Sequence, residues 1–353
     1  MLKRRNILIV VLSAVSFGVA SPVSAQAPEQ QALDALRTRS SIPPGNQTID
    51  AWITYRLARL REDLSVGMKQ ADDEFLGAYQ TQCNHPENSA AFKTRFIERT
   101  NQRFAAEFGK GRGLEVTVGL TIARAIAGIG DLTVLEGLSA GLKADGQPAA
   151  RYVCAKTFAT LIPAVQGDTA QARSIIDLLR EAGVQESNGI VLARIYQALE
   201  YRGVNLKTAV EAILDVITAQ LRMREAGAPA CDGAEQAAFA FLRSELSNIQ
   251  DKNRLVAVLG ACLRLDVNRY LADGVTDDEK YFIELTVDAA EALLLRAVAP
   301  AAPVPNVREA MKNLQNQDLN APLELNRWIG TTQTPGTLNT APWNVPVGAP
   351  VPD

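Results

Sequence analysis

Apolar positions recur at three- and four-residue spacing along most of the chain, the period that lines one face of an α-helix. Residues 50–64 put Trp52, Ile53, Leu57, Leu60 and Leu64 on one such face. A second stripe of Phe92, Phe96, Phe104 and Phe108, with Thr100 in the gap, predicts a helix capped by Asn84 or His85. Pro86 would then take its first position, where a missing N–H costs nothing. Further on, Thr276-Asp277-Asp278-Glu279 reads as a capping box whose acids also suit the positive end of a helix dipole. The helix it opens is expected to run through Tyr281, Leu285 and Leu293 towards Pro300. No alternating run of five or more residues suggests a strand. The pattern predicts an all-α chain, helical from about residue 48 to residue 330.

The two ends read differently. Lys3, Arg4 and Arg5 precede an apolar run from Ile7 to Ala20, and Val23-Ser24-Ala25 supplies small residues at a cleavage position. Residues 1–25 therefore read as a secretory signal peptide, cleaved between Ala25 and Gln26, which predicts an exported protein, periplasmic or secreted. No later apolar run has the length of a membrane span, so no transmembrane segment is expected after the signal is removed. Residues 26–47 are polar and end in Pro43, Pro44 and Gly45, predicting a flexible lead-in with one weak helix near Ala32 to Leu36. Residues 331–353 carry Pro335, Pro342, Pro346, Pro350 and Pro352 and are expected to be extended or disordered. Trp343 is the one bulky aromatic there that could dock.

Three helices share one spelling: alanine, a basic residue, any residue, a large apolar residue, two more, then leucine or isoleucine. They are Ala123-Arg124-Ala125-Ile126-Ala127-Gly128-Ile129, Ala155-Lys156-Thr157-Phe158-Ala159-Thr160-Leu161 and Ala193-Arg194-Ile195-Tyr196-Gln197-Ala198-Leu199. Each is followed by a polar turn, with Asp131, Asp168 or Asn205 as a candidate N-cap, and a second amphipathic helix. A small alanine lets helices approach, and the large residue three positions on fills the space beside it. A single hairpin of this kind leaves an apolar face uncovered, so each unit needs a neighbour.

On these residues the chain resembles the HEAT-repeat family, most clearly from Leu114 to Arg224 and around Pro148-Ala149-Ala150-Arg151-Tyr152-Val153-Cys154-Ala155-Lys156. The resemblance implies an α-solenoid of helical hairpins over residues 114–226. Residues 48–113 and 227–330 are expected to be divergent repeats or caps. Residues 257–263 keep the first alanine and last leucine but lack the basic and bulky residues.

Composition narrows the chemistry. The 353 residues are 47% apolar, enough for a substantial core, and the net charge of −3 becomes more negative once the basic leader is removed. An acidic chain with no long basic run is a poor prospect for nucleic acid. The lysines and arginines among the phenylalanines (Lys93, Arg95, Arg99, Arg103) read as the wet face of a core helix. A single histidine, His85, excludes metal sites that need two, and no cofactor motif appears. Cys83 and His85 lie in a predicted turn and read as loop residues, not a nucleophile and its base. Cys83 and Cys231 could be bridged in an oxidising compartment, while Cys154 and Cys262 read as core. Lys110 and Arg112, within Gly109-Lys110-Gly111-Arg112-Gly113, are the weak candidates for an anion site before a helix. No catalytic constellation emerges. The sequence favours a scaffold that binds a protein or peptide partner through its solenoid surface. The alternative is a secreted helical enzyme acting on a polymer such as a polysaccharide through isolated carboxylates.

Overall fold

A computed structural model of the chain describes residues 28–64, 67–228, 233–300, 304–312 and 320–351. The expected cleavage site at Ala25 and Gln26, and Cys231, lie outside these residues. Among the described residues there are fifteen α-helices and no strand. In chain order they are α1 (Pro28–Arg37), α2 (Thr48–Leu64), α3 (Met68–Asn84), α4 (Ala90–Phe108), α5 (Val116–Ala127), α6 (Leu135–Leu142), α7 (Pro148–Val165) and α8 (Thr169–Gln185). There follow α9 (Gly189–Ala198), α10 (Leu206–Glu225), α11 (Glu235–Ser244), α12 (Lys252–Tyr270), α13 (Asp277–Val298), α14 (Val307–Lys312) and α15 (Ala321–Ile329).

Local signals explain where many of these begin. Asp168 accepts from the backbone N–H groups of Ala170 and Gln171, and Asn188 does the same for Ile190 and Val191. Pro148 opens α7, and Thr276 and Glu279 cap α13 reciprocally. Helices two apart then pack on each other: α3, α5, α7, α9, α11 and α13 in one succession, α2, α4 and α6, and then α8, α10, α12 and α15, in the other. Contacts between consecutive helices join the two sets.

The repeat positions sit where these helices meet. Ala123, Ile126, Ala155, Phe158, Leu161, Tyr196 and Leu199 are buried, while Ile129 and Ala193 are half-buried against the same core. Arg124 and Lys156 face solvent, with Arg124 paired to Asp72, and Arg194 lies over the Tyr152 ring.

Several local expectations are corrected. The phenylalanine helix starts at Ala90, with Ser89 accepting from Phe92 N at 3.1 Å, and His85 closes α3. The cause is Asn88, whose amide holds the carbonyl of Gln82 at 2.7 Å and keeps residues 85–89 in a turn. Asn205 caps nothing; its buried amide crosses to the carbonyl of Gln166 at 2.8 Å, tying one hairpin to the next. In α13 the buried stripe is Ile283, Val287, Ala290 and Leu294. Tyr281 is exposed and Leu285 only half-buried, because α11 and α12 cover the opposite side of that helix.

The first and last described segments are built into the fold. The helix expected near Ala32 to Leu36 is present as α1, and the described part of the lead-in is packed: α1 buries Leu33 and Leu36 and anchors Arg37 on Gln82 (2.8 Å) and Asn88 (3.0 Å). The described part of the proline-rich tail forms no α-helix, only a short 3-10 turn at Thr337–Asn339. It is nevertheless packed: Leu338 and Val351 are buried, and Trp343 and Val345 lie half-buried on the core.

Candidate functional site

A cleft of about 810 Å³ lies between α10, α12 and the C-terminal tail. Its floor is made of small residues, Ala257, Gly260 and Ala261 of α12, with Ile329 and Leu338 beside them. Small side chains recur there because the tail must come close: a Cβ on residue 260 would stand 2.9 Å from Leu338 Cδ1. The tail reaches this position by crossing the end of α15, where a Cβ on Gly336 would meet Trp328 O at 2.6 Å. Asn339 fixes the crossing by accepting from Gly336 N at 2.6 Å and donating to Val345 O at 2.8 Å, while Val345 N donates to Leu338 O at 2.8 Å.

The rim is charged and its charges are engaged. Glu225, at the end of α10, accepts from Arg264 Nη2 at 2.7 Å, and Val351 of the tail lines the cleft beside it. The Arg264 hydrogen bond holds its carboxyl below the usual carboxylate range. Arg254 donates to Asp215 at 2.5 Å, and Asp215 also receives Arg180 of α8 at 3.2 Å. Asp251 caps α12 through Arg254 N at 2.9 Å. These carboxylates position helices and tail. A cleft of this volume with an apolar floor suits an extended or small apolar ligand, fixed in place by a few polar groups.

Among smaller concavities, one of about 500 Å³ lies on α3, lined by Lys69, Gln70, Asp73 and Glu74, and others involve α2, α4, α6, α8, α10 and α12. One of about 400 Å³ lies among α8, α10 and α12 and is lined by Arg180, Lys207, Val210 and Asp215. Another of about 420 Å³ separates the ends of α6 and α8, flanked by the Lys143–Glu181 pair at 3.2 Å. A third, of about 370 Å³, lies between α2 and α4 beside the Asp50–Arg99 pair.

The candidate residues named from the sequence do not enter any of these concavities as free groups. Lys110 Nζ is 2.6 Å from Glu107, and Arg112 Nε is 3.0 Å from Asp145, so both cations already carry a carboxylate. Cys83 points into the core, where burial pushes its thiol up to about 12, while His85 Nδ1 accepts from Glu87 N at 3.3 Å in the turn. Cys154 is likewise raised to about 12 by burial, and Cys262 donates to Asp266 at 3.2 Å. Among the described residues, no cluster of three or more histidine, cysteine or acidic side chains could hold a metal ion. No helix among them is long and apolar enough to cross a membrane.

Sequence reasoning missed Asp215, Glu225, Arg254 and Arg264, although a signal was present. Asp215–Arg254 and Glu225–Arg264 are separated by the same 39 residues, the mark of two helices in fixed register. Comparison with protein-family models, curated proteins and solved structures returned no match for the chain.

Proposed function

We propose that the chain is an exported HEAT-like α-solenoid that binds a protein or peptide partner along the face formed by α2, α4, α6, α8, α10 and α12. The observation that carries this reading is the placement of the concavities shared by two or more elements, which run along that set of helices with Arg151 of α7 added to one, whereas the concavity on α3 is lined by that single helix. Helices stacked two apart leave a shallow valley between successive members, and a succession of valleys makes an extended surface of the kind repeat proteins use. Cross-helix pairs such as Arg180–Asp215–Arg254 hold the valleys open at fixed spacing. They also provide a polar rim around apolar floors, the composition that favours orientation over tight burial. With α1 covering one end and α14, α15 and the tail the other, no terminal hairpin is left with a bare apolar face. The leader read from residues 1–25 places the partner in the periplasm or outside the cell. No catalytic residues and no cofactor are assigned, and nucleic acid is not the expected partner.

A photo-crosslinker at Lys207, which lines the valley among α8, α10 and α12, tests the reading against one at Lys156, exposed on α7. Envelope extract of the native host should give a discrete adduct from position 207 and none from 156. Adducts from 156 alone, or from neither position, refute it.

A further inference from the structure

We infer that the cleft between α10 and α12 is a site for a proline-containing peptide that makes a tight turn, and that residues 346–351 of the same chain are a displaceable occupant seated on it. The inference deepens the proposed partner reading and rests on it for the source of the competing peptide.

The tail consists of two parts that differ in how they are held. Residues 330–345 are locked by the Gly336 crossing, the Asn339 hydrogen bonds and the insertion of Leu338 over Gly260. Residues 346–350 are exposed or half-exposed and run across the mouth of the cleft to a single buried anchor, Val351. That anchor lines the cleft beside Glu225. A segment with one buried side chain at its far end opens at a small fraction of the global unfolding free energy.

The strap also fills its seat poorly. Facing the floor of Ala257, Gly260 and Ala261 it presents Pro346, Gly348, Ala349 and Pro350, small groups over small groups, and about 810 Å³ stays open. Larger apolar side chains on an otherwise similar peptide would fill this volume. Val347, the strap's other aliphatic residue, does not line the cleft and is 39% exposed. The chain's own segment therefore shows the chemistry the cleft accepts. It takes a tight turn between prolines, closed here by Ala349 N on Pro346 O at 3.2 Å with Gly348 at φ 65°, and a β-branched residue in the Val351 seat. It has room besides for a larger side chain at the position of Ala349.

A tethered segment competes at an effective concentration on the order of millimolar, so it excludes weak peptides and yields to tight ones. The strap thus sets a threshold for occupancy.

The test uses the full chain and a labelled peptide of residues 344–351 carrying Ala349→Leu, followed by fluorescence anisotropy. The Val351→Asp chain, whose strap has lost its anchor, should bind this peptide at least ten-fold more tightly than the unsubstituted chain. Equal affinity, or no binding to either, overturns the inference. Should Val351→Asp fail to fold, the full-length Ala349→Leu chain decides. Its larger side chain should fill the cleft beneath its own strap and slow exchange of the Val351 amide several-fold, and unchanged or faster exchange overturns the inference. Peptide binding as expected with no adduct at Lys207 keeps the cleft as a peptide site and refutes the wider partner face. An adduct at Lys207 with peptide affinity indifferent to Val351→Asp does the reverse.

Discussion

Arg224 and Asp266 form an ion pair 3.0 Å long that is almost wholly removed from water, their side chains being 7% and 2% exposed. Glu235, fully buried, binds the same guanidinium, and Cys262 donates to the far oxygen of Asp266 at 3.2 Å. The cluster joins α10, α11 and α12. Burial opposes the guanidinium charge, but the two carboxylates outweigh it and hold Arg224 protonated above its ordinary value. Arg224 thus lies between two buried acids in this cluster. Arg224→Met should destabilise the chain by about 3–5 kcal/mol, because it removes from the core the cation that both carboxylates share. Asp266→Asn leaves the Arg224–Glu235 pair intact and should cost less, about 1–3 kcal/mol for an imperfectly replaced hydrogen bond. Urea unfolding of both variants checks the order, and a milder effect of Arg224→Met than of Asp266→Asn would contradict it.

Acid should loosen the strap. Glu225 has a folded pKa lowered from the 4.5 of a free glutamate, the hydrogen bond from Arg264 being the largest cause. A depressed carboxylate contributes stability that is present above its unfolded value and lost as pH falls through the folded one. The tail beside Glu225, where Val351 lines the same cleft, should therefore hold at neutral pH and loosen as pH falls through that lowered value. Fluorescence of the half-buried Trp343, isolated in a chain with Trp52 and Trp328 replaced by phenylalanine, should report the change. Glu225→Gln should remove the pH dependence, and a pH response that survives that substitution assigns the titration elsewhere.

The repeat alanines give a graded test of packing. Ala123 and Ala155 are completely buried, whereas Ala193 is only half-buried. An arginine at residue 155 overpacks a tight helix contact, about 1–3 kcal/mol, and adds an unpaired buried charge. Ala155→Arg should prevent folding or lower the denaturation midpoint severely, with Ala193→Arg clearly milder. Lys156→Ala, on the exposed face, should stay within about 0.5 kcal/mol. Chemical denaturation of the three variants settles the order.

How legible the fold is depends on the range of the signal. Caps at Asp168 and Thr276 are local: the acceptor and the N–H it serves lie within three residues, so sequence suffices. The α7 repeat face is equally local, since a 3.6-residue period names its own buried side. The tail is different. Leu338 is one leucine among prolines, and its burial depends on residue 260 having no side chain, far away in sequence. The same holds for Arg224, Glu235 and Asp266, which a hydropathy pattern assigns to the surface because only their mutual contact permits burial. Asp215 and Glu225 read as ordinary exposed helix acids until α12 is set beside α10. The phase of α13 is ambiguous in sequence for a related reason, as Tyr281 and Leu285 carry the right period on the side that α11 and α12 leave open.

Glu291 is the joint that seats the last helices, and its removal should release them selectively. Its buried carboxylate accepts from Val307 N at 2.8 Å, Arg308 N at 3.0 Å and the indole N–H of Trp328 at 2.9 Å. It thereby caps the first turn of α14 and holds α15, both from α13. Burial raises its pKa, while the three donors oppose the rise by favouring the ionised form. Glu291→Ala leaves those donors without an acceptor in a site shut off from water, a loss of about 3 kcal/mol or more when each charged hydrogen bond is worth about 1.5–3 kcal/mol. Glu291→Gln keeps one acceptor oxygen but turns an NH₂ towards the remaining donors, so it should recover only part of the loss. Amide exchange should rise in residues 304–312 and 320–329, and in the tail turn at 337–339 that packs on α15, while α5 to α9 keep their protection, since α14 and α15 pack mainly on α12, α13, each other and that turn. Loss of protection spread evenly over the chain would show that Glu291 supports the whole fold, not the docking of its last two helices.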